Sequence, residues 1–217
     1  MSAEFAVQPE LPAFMTWEEL ERLPEEIAGE IELWDRRVVW VRRGPAEHSI
    51  FTARMWNSFE RCVRDHAATG PDECWRAGLE INVFFGRTGK NSFLTPDFLI
   101  HRCLDRPYQD VRAEDVLLAG EVLSPSNSSR EMEIKRARYA SGGIPWYWEV
   151  HLHRETSAIE FVRAYALETR VGRLPDGVQP RYRSNYLFVN EWTPDDEDGI
   201  RINFPFPISI PWSDLEY

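Results

Sequence analysis

Long apolar runs are missing from this chain. No stretch of its 217 residues approaches the roughly 20 consecutive apolar residues that a membrane-crossing helix needs. The opening MSAEFAVQPELPAF holds an acid and no basic n-region, so it does not read as a secretory signal, and a cytoplasmic protein is expected. Cysteine is scarce. Cys62, Cys74 and Cys103 are odd in number and widely spaced, which fits reduced thiols better than a disulfide frame or a zinc cluster. Positive charge is short as well: 25 Lys and Arg stand against 36 Asp and Glu, for a net charge of −11. A nucleic-acid binder usually draws affinity from a basic surface, so a polyanionic partner would have to be met by a local basic patch or a bound cation.

What is present suits an ordinary globular protein. A composition of 43% hydrophobic and 28% charged residues supplies a core for one medium domain over residues 1–217, with residues 1–15 as a loose arm. Thr16-Trp-Glu-Glu19 is a capping box that opens a short helix to about Leu23. Residues 27–41 read as a hairpin turning near Asp35-Arg36. From Glu47 to His66, Phe51, Met55, Phe59, Cys62 and Val63 recur at helical spacing. Gly70-Pro71-Asp72 closes that helix. One or two strands follow between Glu73 and Phe85, then a turn over Gly86–Asn91.

Thr95-Pro-Asp heads a strand to residue 101, and VLLAGEVLS forms another that ends at Ser124-Pro125-Ser126. Ser128-Ser-Arg-Glu131 reads as a second capping box. Its helix stops at Gly142-Gly143 before the strand IPWYWEV, and strand–helix–strand of this length is a crossover onto a parallel or mixed sheet. The last third is strand-like: AIEFVRAYAL, RYRSNYLFVN and FPFPISIPW, separated by a loop at Gly172–Gly177 and the acidic loop Pro194–Asp198, which reads as solvated.

Two of these strands each carry one acid among apolar residues, Asp97 and Glu121. A buried acid is costly unless it is paired or holds a cation. Strand and helix rise bring Lys135 back level with Glu121, with Tyr139 one turn beyond on the same stripe. Asp97 and Glu121 can thus face one hard cation such as Mg²⁺, with the lysine beside them, in a site for phosphate chemistry. The plainer account is a buried Glu121–Lys135 ion pair, with Glu131 capping and Asp97 in a turn. Glu32 reads equally as a solvent-facing alternate residue or as a further acid. His48, in the first turn of its helix, reads as a surface or capping residue rather than a ligand.

Several motifs together resemble the Uma-type family of the PD-(D/E)XK nuclease superfamily: Pro96-Asp97 at a strand start, Glu121-Val-Leu-Ser-Pro-Ser126, Lys135 with Tyr139-Ala140, and Gly143-Ile144-Pro145 before Tyr147-Trp148. The Glu32-Leu33 hairpin and His48 opening a helix are similar in order. The resemblance spans about residues 14–215. It implies a restriction endonuclease-like α/β fold, a mixed β-sheet flanked by helices, here with extra C-terminal strands. It also implies a Mg²⁺- or Mn²⁺-dependent phosphodiester hydrolase acting on nucleic acid, DNA above all. Asp97 and Glu121 would ligate the metal, Lys135 would be the catalytic lysine, and Glu32 an outer acid near the metal or its water. Three positions depart from the pattern. Leu123 stands where D/E-x-K would place the lysine, and Glu131 and His151 stand where the family usually has Asp. A homodimer would suit cleavage of two strands. The competing readings are a non-catalytic binding or assembly domain on the same fold, and a hydrolase for a different phosphoester.

Overall fold

The computed structural model describes residues 9–41, 44–70, 73–124, 127–168 and 184–217. Most of the arm over 1–15, the Pro71-Asp72 break, Pro125-Ser126 and the Gly172–Gly177 loop therefore lie wholly or partly outside the described residues.

Two short helices open the chain, α1 (Trp17–Leu20) and α2 (Glu25–Ala28), followed by the hairpin β1 (Ile31–Trp34) and β2 (Arg37–Trp40). The long helix α3 (Ala46–Ala68) leads to β3 (Trp75–Leu79), β4 (Val83–Phe84), β5 (Phe93–Leu94), β6 (Phe98–Arg102), β7 (Val111–Arg112) and β8 (Val116–Leu123). Helix α4 (Ser129–Ser141) crosses over to β9 (Trp146–Leu152). After it come β10 (Ile159–Glu168), β11 (Asn185–Trp192), β12 (Ile200–Ile202) and β13 (Ile208–Ile210).

The main sheet has the order β11-β10-β9-β8-β6-β3. Its β8–β9 pair is parallel, as the α4 crossover requires, and its other pairs are antiparallel. This is a mixed sheet with helices on both faces. Phe51, Met55 and Phe59 of α3 pack on Phe98, Ile100, Leu118, Val122, Trp148 and Val150 of one face. The alternate residues Leu99, Ala119 and Tyr147 face Tyr139 of α4. Period-2 alternation from Leu118 to the end of β8 thus sends Val122 to the α3 side and Glu121 to the α4 side.

A second sheet, β2-β1-β5-β4-β7, closes over α1 and α2 with Met15, Leu20, Ile31, Leu33, Phe84 and Phe93 as its core. Its two-residue strands carry too few side chains to show a period.

Local signals behave as the chemistry demands. Both halves of the Thr16–Glu19 capping box close, and Ser128 Oγ accepts from the Glu131 N–H at 3.2 Å. Gly143, at φ +80°, ends α4 in the left-handed region. Gly120 lies flat against the Phe98 ring, where a Cβ would overlap it, so β6 and β8 close tightly just ahead of Glu121. The acids of Pro194–Asp198 are exposed.

The reading of the cysteines as reduced thiols is overturned. Cys74 and Cys103, at adjoining ends of β3 and β6, form a disulfide with Cα atoms 5.3 Å apart, leaving Cys62 as the buried free thiol. Their 29-residue separation hid the proximity, because antiparallel pairing of Trp75 with Arg102 brings the neighbouring residues together. Among the described residues, no helix is long and apolar enough to cross a membrane.

Candidate active site

The second sheet and α4 enclose a cleft of about 1040 Å³ with the end of β8 at its floor. Lys135, Glu121, Glu32, Asp97 and His48 all line it.

Glu121 is 5% exposed and its carboxylate is engaged from α4. Lys135 Nζ donates to Oε1 at 3.2 Å and Oε2 at 3.1 Å, and the Tyr139 hydroxyl donates to Oε1 at 2.5 Å. Met132, Lys135 and Tyr139 are buried at i, i+3 and i+7, one stripe of α4, so the helix that covers the sheet also delivers the cation. The same ammonium lies 3.5 Å from Glu32 Oε1. Glu32 is 1% exposed, which corrects the solvent-facing reading: β1 belongs to the second sheet, and the face to which alternation sends Glu32 turns toward Lys135 of α4 rather than solvent. Its Oε1 accepts from the Thr95 N–H at 3.0 Å and its Oε2 from the Trp34 indole N–H at 2.9 Å.

Asp97 sits just ahead of β6. The β6–β8 register pairs Phe98 with Gly120, so one step further it sets Asp97 opposite Glu121. Asp97 Oδ2 accepts from the Val122 N–H at 2.6 Å and meets His48 Nε2 at 3.1 Å. His48 is thus not a free surface or capping residue. The first turn of α3 lies over the cleft and turns the ring inward, a placement no local pattern encodes.

The electrostatics follow from three inner carboxylates around one ammonium. Burial, reinforced by Asp97 and Glu32, pushes the Glu121 carboxyl up to about 7, while Lys135 and the Tyr139 hydroxyl work the other way. For Lys135 burial opposes the charge, but Glu121, Glu32 and Asp97 outweigh it and hold the ammonium above the ordinary lysine range. His48 is likewise raised: burial lowers it, and Asp97, Glu121 and Glu80 more than compensate. Glu21, Glu25, Glu80 and Glu131 add further negative charge at the exposed rim.

This donor set suits a hard divalent cation. Carboxylate oxygens are in excess over cationic side chains, and no partner of Asp97 Oδ1 is found among the described residues. The site is not a closed cage, since no group of three or more His, Cys, Asp or Glu among the described residues is placed to hold a metal. Mg²⁺ commonly binds through one or two carboxylates and keeps several waters, which two acids satisfy.

Comparison with known proteins decides the family. The model of the Uma2 family, described as "Putative restriction endonuclease", matches residues 17–201. The chain belongs to the Uma2 family. A crystal structure from Anabaena variabilis, described as a "putative nuclease belonging to DUF820", superposes with a TM-score of 0.57 at 17% identity, covering 93% of this chain and 97% of that one. At that identity the likeness shows the fold. No curated protein matches. The Uma2 match spans both sheets and every cleft residue named above.

The sequence pattern missed Glu149. It pairs with Glu121 across the β8–β9 ladder, is 1% exposed, and is held by Arg136 at 2.5 Å. The apolar run IPWYWEV conceals it as one more alternate residue.

Proposed function

We propose that this Uma2-family chain is a single-domain, metal-dependent endonuclease that hydrolyses phosphodiester bonds in DNA, with Asp97 and Glu121 as ligands of Mg²⁺ or Mn²⁺. The observation that carries the reading is the convergence of Glu32, Asp97 and Glu121 on Lys135 in an open cleft. A surplus of buried carboxylate is destabilising, and a surplus kept in a cleft is the mark of a cation site.

Each residue then has a task. Asp97, fixed by the Val122 amide and His48, would be one carboxylate ligand of the cation. Glu121, held by Lys135, would be the other. When bound, the divalent ion polarises a phosphoryl oxygen and lowers the pKa of a coordinated water. Lys135 stays protonated and offsets negative charge developing on the phosphate. Glu32 holds Lys135 from the other side, while its two oxygens accept from the Thr95 and Trp34 N–H groups, so it positions the lysine beside the two ligands. The acidic rim gives the cation a second role: without it the cleft repels the polyanion it is to cleave.

Purified protein is expected to nick supercoiled plasmid in Mg²⁺ and to stop when the metal is chelated. Equal nicking by wild-type and Asp97→Ala protein would sink the reading. A duplex RNA substrate in a parallel reaction tests the choice of DNA.

A further inference from the structure

We propose that Trp34 and Arg138 are positioning residues for Lys135, acting on it through Glu32. Their consequence for catalysis rests on the nuclease reading; their hold on the lysine does not. Two periodicities meet where the second sheet faces α4. Along β1, residues two apart share a face, so Glu32 and Trp34 point the same way. Along α4, residues three apart are neighbours on one side, so Arg138 follows Lys135 by one turn. Strand and helix then match residue for residue. Lys135 Nζ lies 3.5 Å from Glu32 Oε1, and the Arg138 guanidinium lies over the Trp34 indole, 4.9 Å from the ring centroid. The second contact feeds into the first, because the same indole donates its N–H to Glu32 Oε2 at 2.9 Å. With the ring pinned beneath the guanidinium, that N–H is aimed and the carboxylate is kept at the lysine.

Arg138 also meets Asp35 Oδ2 at 2.9 Å, but that carboxylate is 78% exposed, and an exposed ion pair contributes little. The guanidinium is 22% exposed, so its contact with the indole is the weightier one. The turn beyond Trp34 is held from outside as well. Asp35 and Arg36 sit at φ +53° and +71°, where a two-residue hairpin favours glycine and asparagine. Ser92 Oγ accepts from the Asp35 N–H at 3.3 Å, and the Asn91 carbonyl accepts from the Arg36 N–H at 2.7 Å. A strained turn kept by its surroundings fixes where β1 ends, and so where Trp34 stands under α4. The gain is in the lysine's placement. Lys135 is shared between Glu121 and Glu32, and an ammonium released from Glu32 would settle on Glu121, the carboxylate that a cation also needs.

The chain's composition supplies a test free of any activity readout. Lys90 and Lys135 are its two lysines, so full-length protein carrying ¹³C-lysine gives two side-chain ε-carbon signals by NMR, and Lys90→Arg assigns them. In metal-free buffer Trp34→Phe, which keeps a ring under Arg138 and removes the N–H, should move the Lys135 signal and leave that of Lys90 in place. Arg138→Met should do the same. Asp35→Asn, which suits the turn and removes only the exposed ion pair, should move it less than either. In Mg²⁺-dependent plasmid nicking, Trp34→Phe and Arg138→Met should lower kcat about 10-fold, as loss of a group supporting a site typically does, with KM unchanged. A general loss of packing would instead disturb both lysine signals. A Lys135 signal indifferent to Trp34→Phe, or one that Asp35→Asn moves as far, overturns the proposal. So does a wild-type kcat in Trp34→Phe. Wild-type protein that fails to nick sinks the nuclease reading, and the lysine signals then decide the positioning by themselves.

Discussion

Lys135 and Arg136 are neighbours on α4, and each meets a buried glutamate on the sheet below. Lys135 engages Glu121 of β8 and Arg136 engages Glu149 of β9, and the two glutamates face each other across the parallel ladder. The pairs match in residue type and differ in company. Glu121 shares its cation with Glu32 and lies opposite Asp97. Among the described residues Glu149 has Arg136 to itself, and it also meets His151 Nε2 at 3.1 Å and the Tyr165 hydroxyl at 3.2 Å. Burial pushes Glu121 up to about 7. Burial also acts to raise Glu149, but His151 and Arg136 overcome it and hold that carboxyl below the usual range. A buried glutamate under a cation is therefore no sign of a site by itself. The sign is like charge left in surplus where solvent can reach it.

The largest effect should come from Lys135→Met. It strands three carboxylates without their cation and is expected to cost about 3–5 kcal/mol in urea denaturation, as breaking a buried pair does. Arg136→Met should cost less, about 1–2 kcal/mol, because its side chain is 35% exposed and His151 remains on Glu149. Equal losses would erase the contrast between the pairs.

Activity should separate them next. Asp97→Ala and Glu121→Gln are expected to lower Mg²⁺-dependent cleavage at least on the order of 100-fold, beyond the loss typical of groups that only support a ligand. Glu149→Gln should leave the initial rate within a few-fold of wild type.

Stability should then move in opposite directions. Glu121 titrates higher in the folded than in the unfolded chain, so its ionised form is a penalty that grows from pH 4.5 to about 7 and is fully present above. Glu121→Gln in metal-free buffer at pH 8 should accordingly gain on the order of 1–3 kcal/mol. Glu149 titrates lower in the folded chain, so its contribution is present above the ordinary carboxylate range and is lost as pH falls through its folded value. Glu149→Gln should lower the melting temperature at pH 8. Both variants shifting the same way would contradict the assignment of surplus charge to Glu121 alone.

The smallest effect concerns metal binding. Protonation of Glu121 competes with the cation, so Mn²⁺ affinity by calorimetry should fall about 10-fold from pH 8 to pH 6. Glu149→Gln should keep that slope, and Glu121→Gln should flatten it.

Much of the central site was legible because it rests on short-range periodicity. Strand rise out and helix rise back placed Lys135 level with Glu121, and a single stripe placed Tyr139 beside it. What escaped depends on contacts between distant segments. Glu32 is buried only because the second sheet, to which its own strand β1 belongs, turns that face toward Lys135 of α4. His48 points inward only because α3 crosses the end of β6. Cys74 reaches Cys103 only through the β3–β6 register. Glu149 stayed hidden for a different reason, since the apolar run IPWYWEV makes it read as one more alternate residue of a strand. The Uma2 resemblance supplied the fold where periodicity was silent.

Asp97 is tied to β8 through the Val122 N–H, a main-chain donor that every residue but proline supplies. The gap between the two acids is therefore held from the backbone of β8, with His48 bracing the same oxygen. Sequence can drift at the rim acids or at Val122 itself without removing that donor.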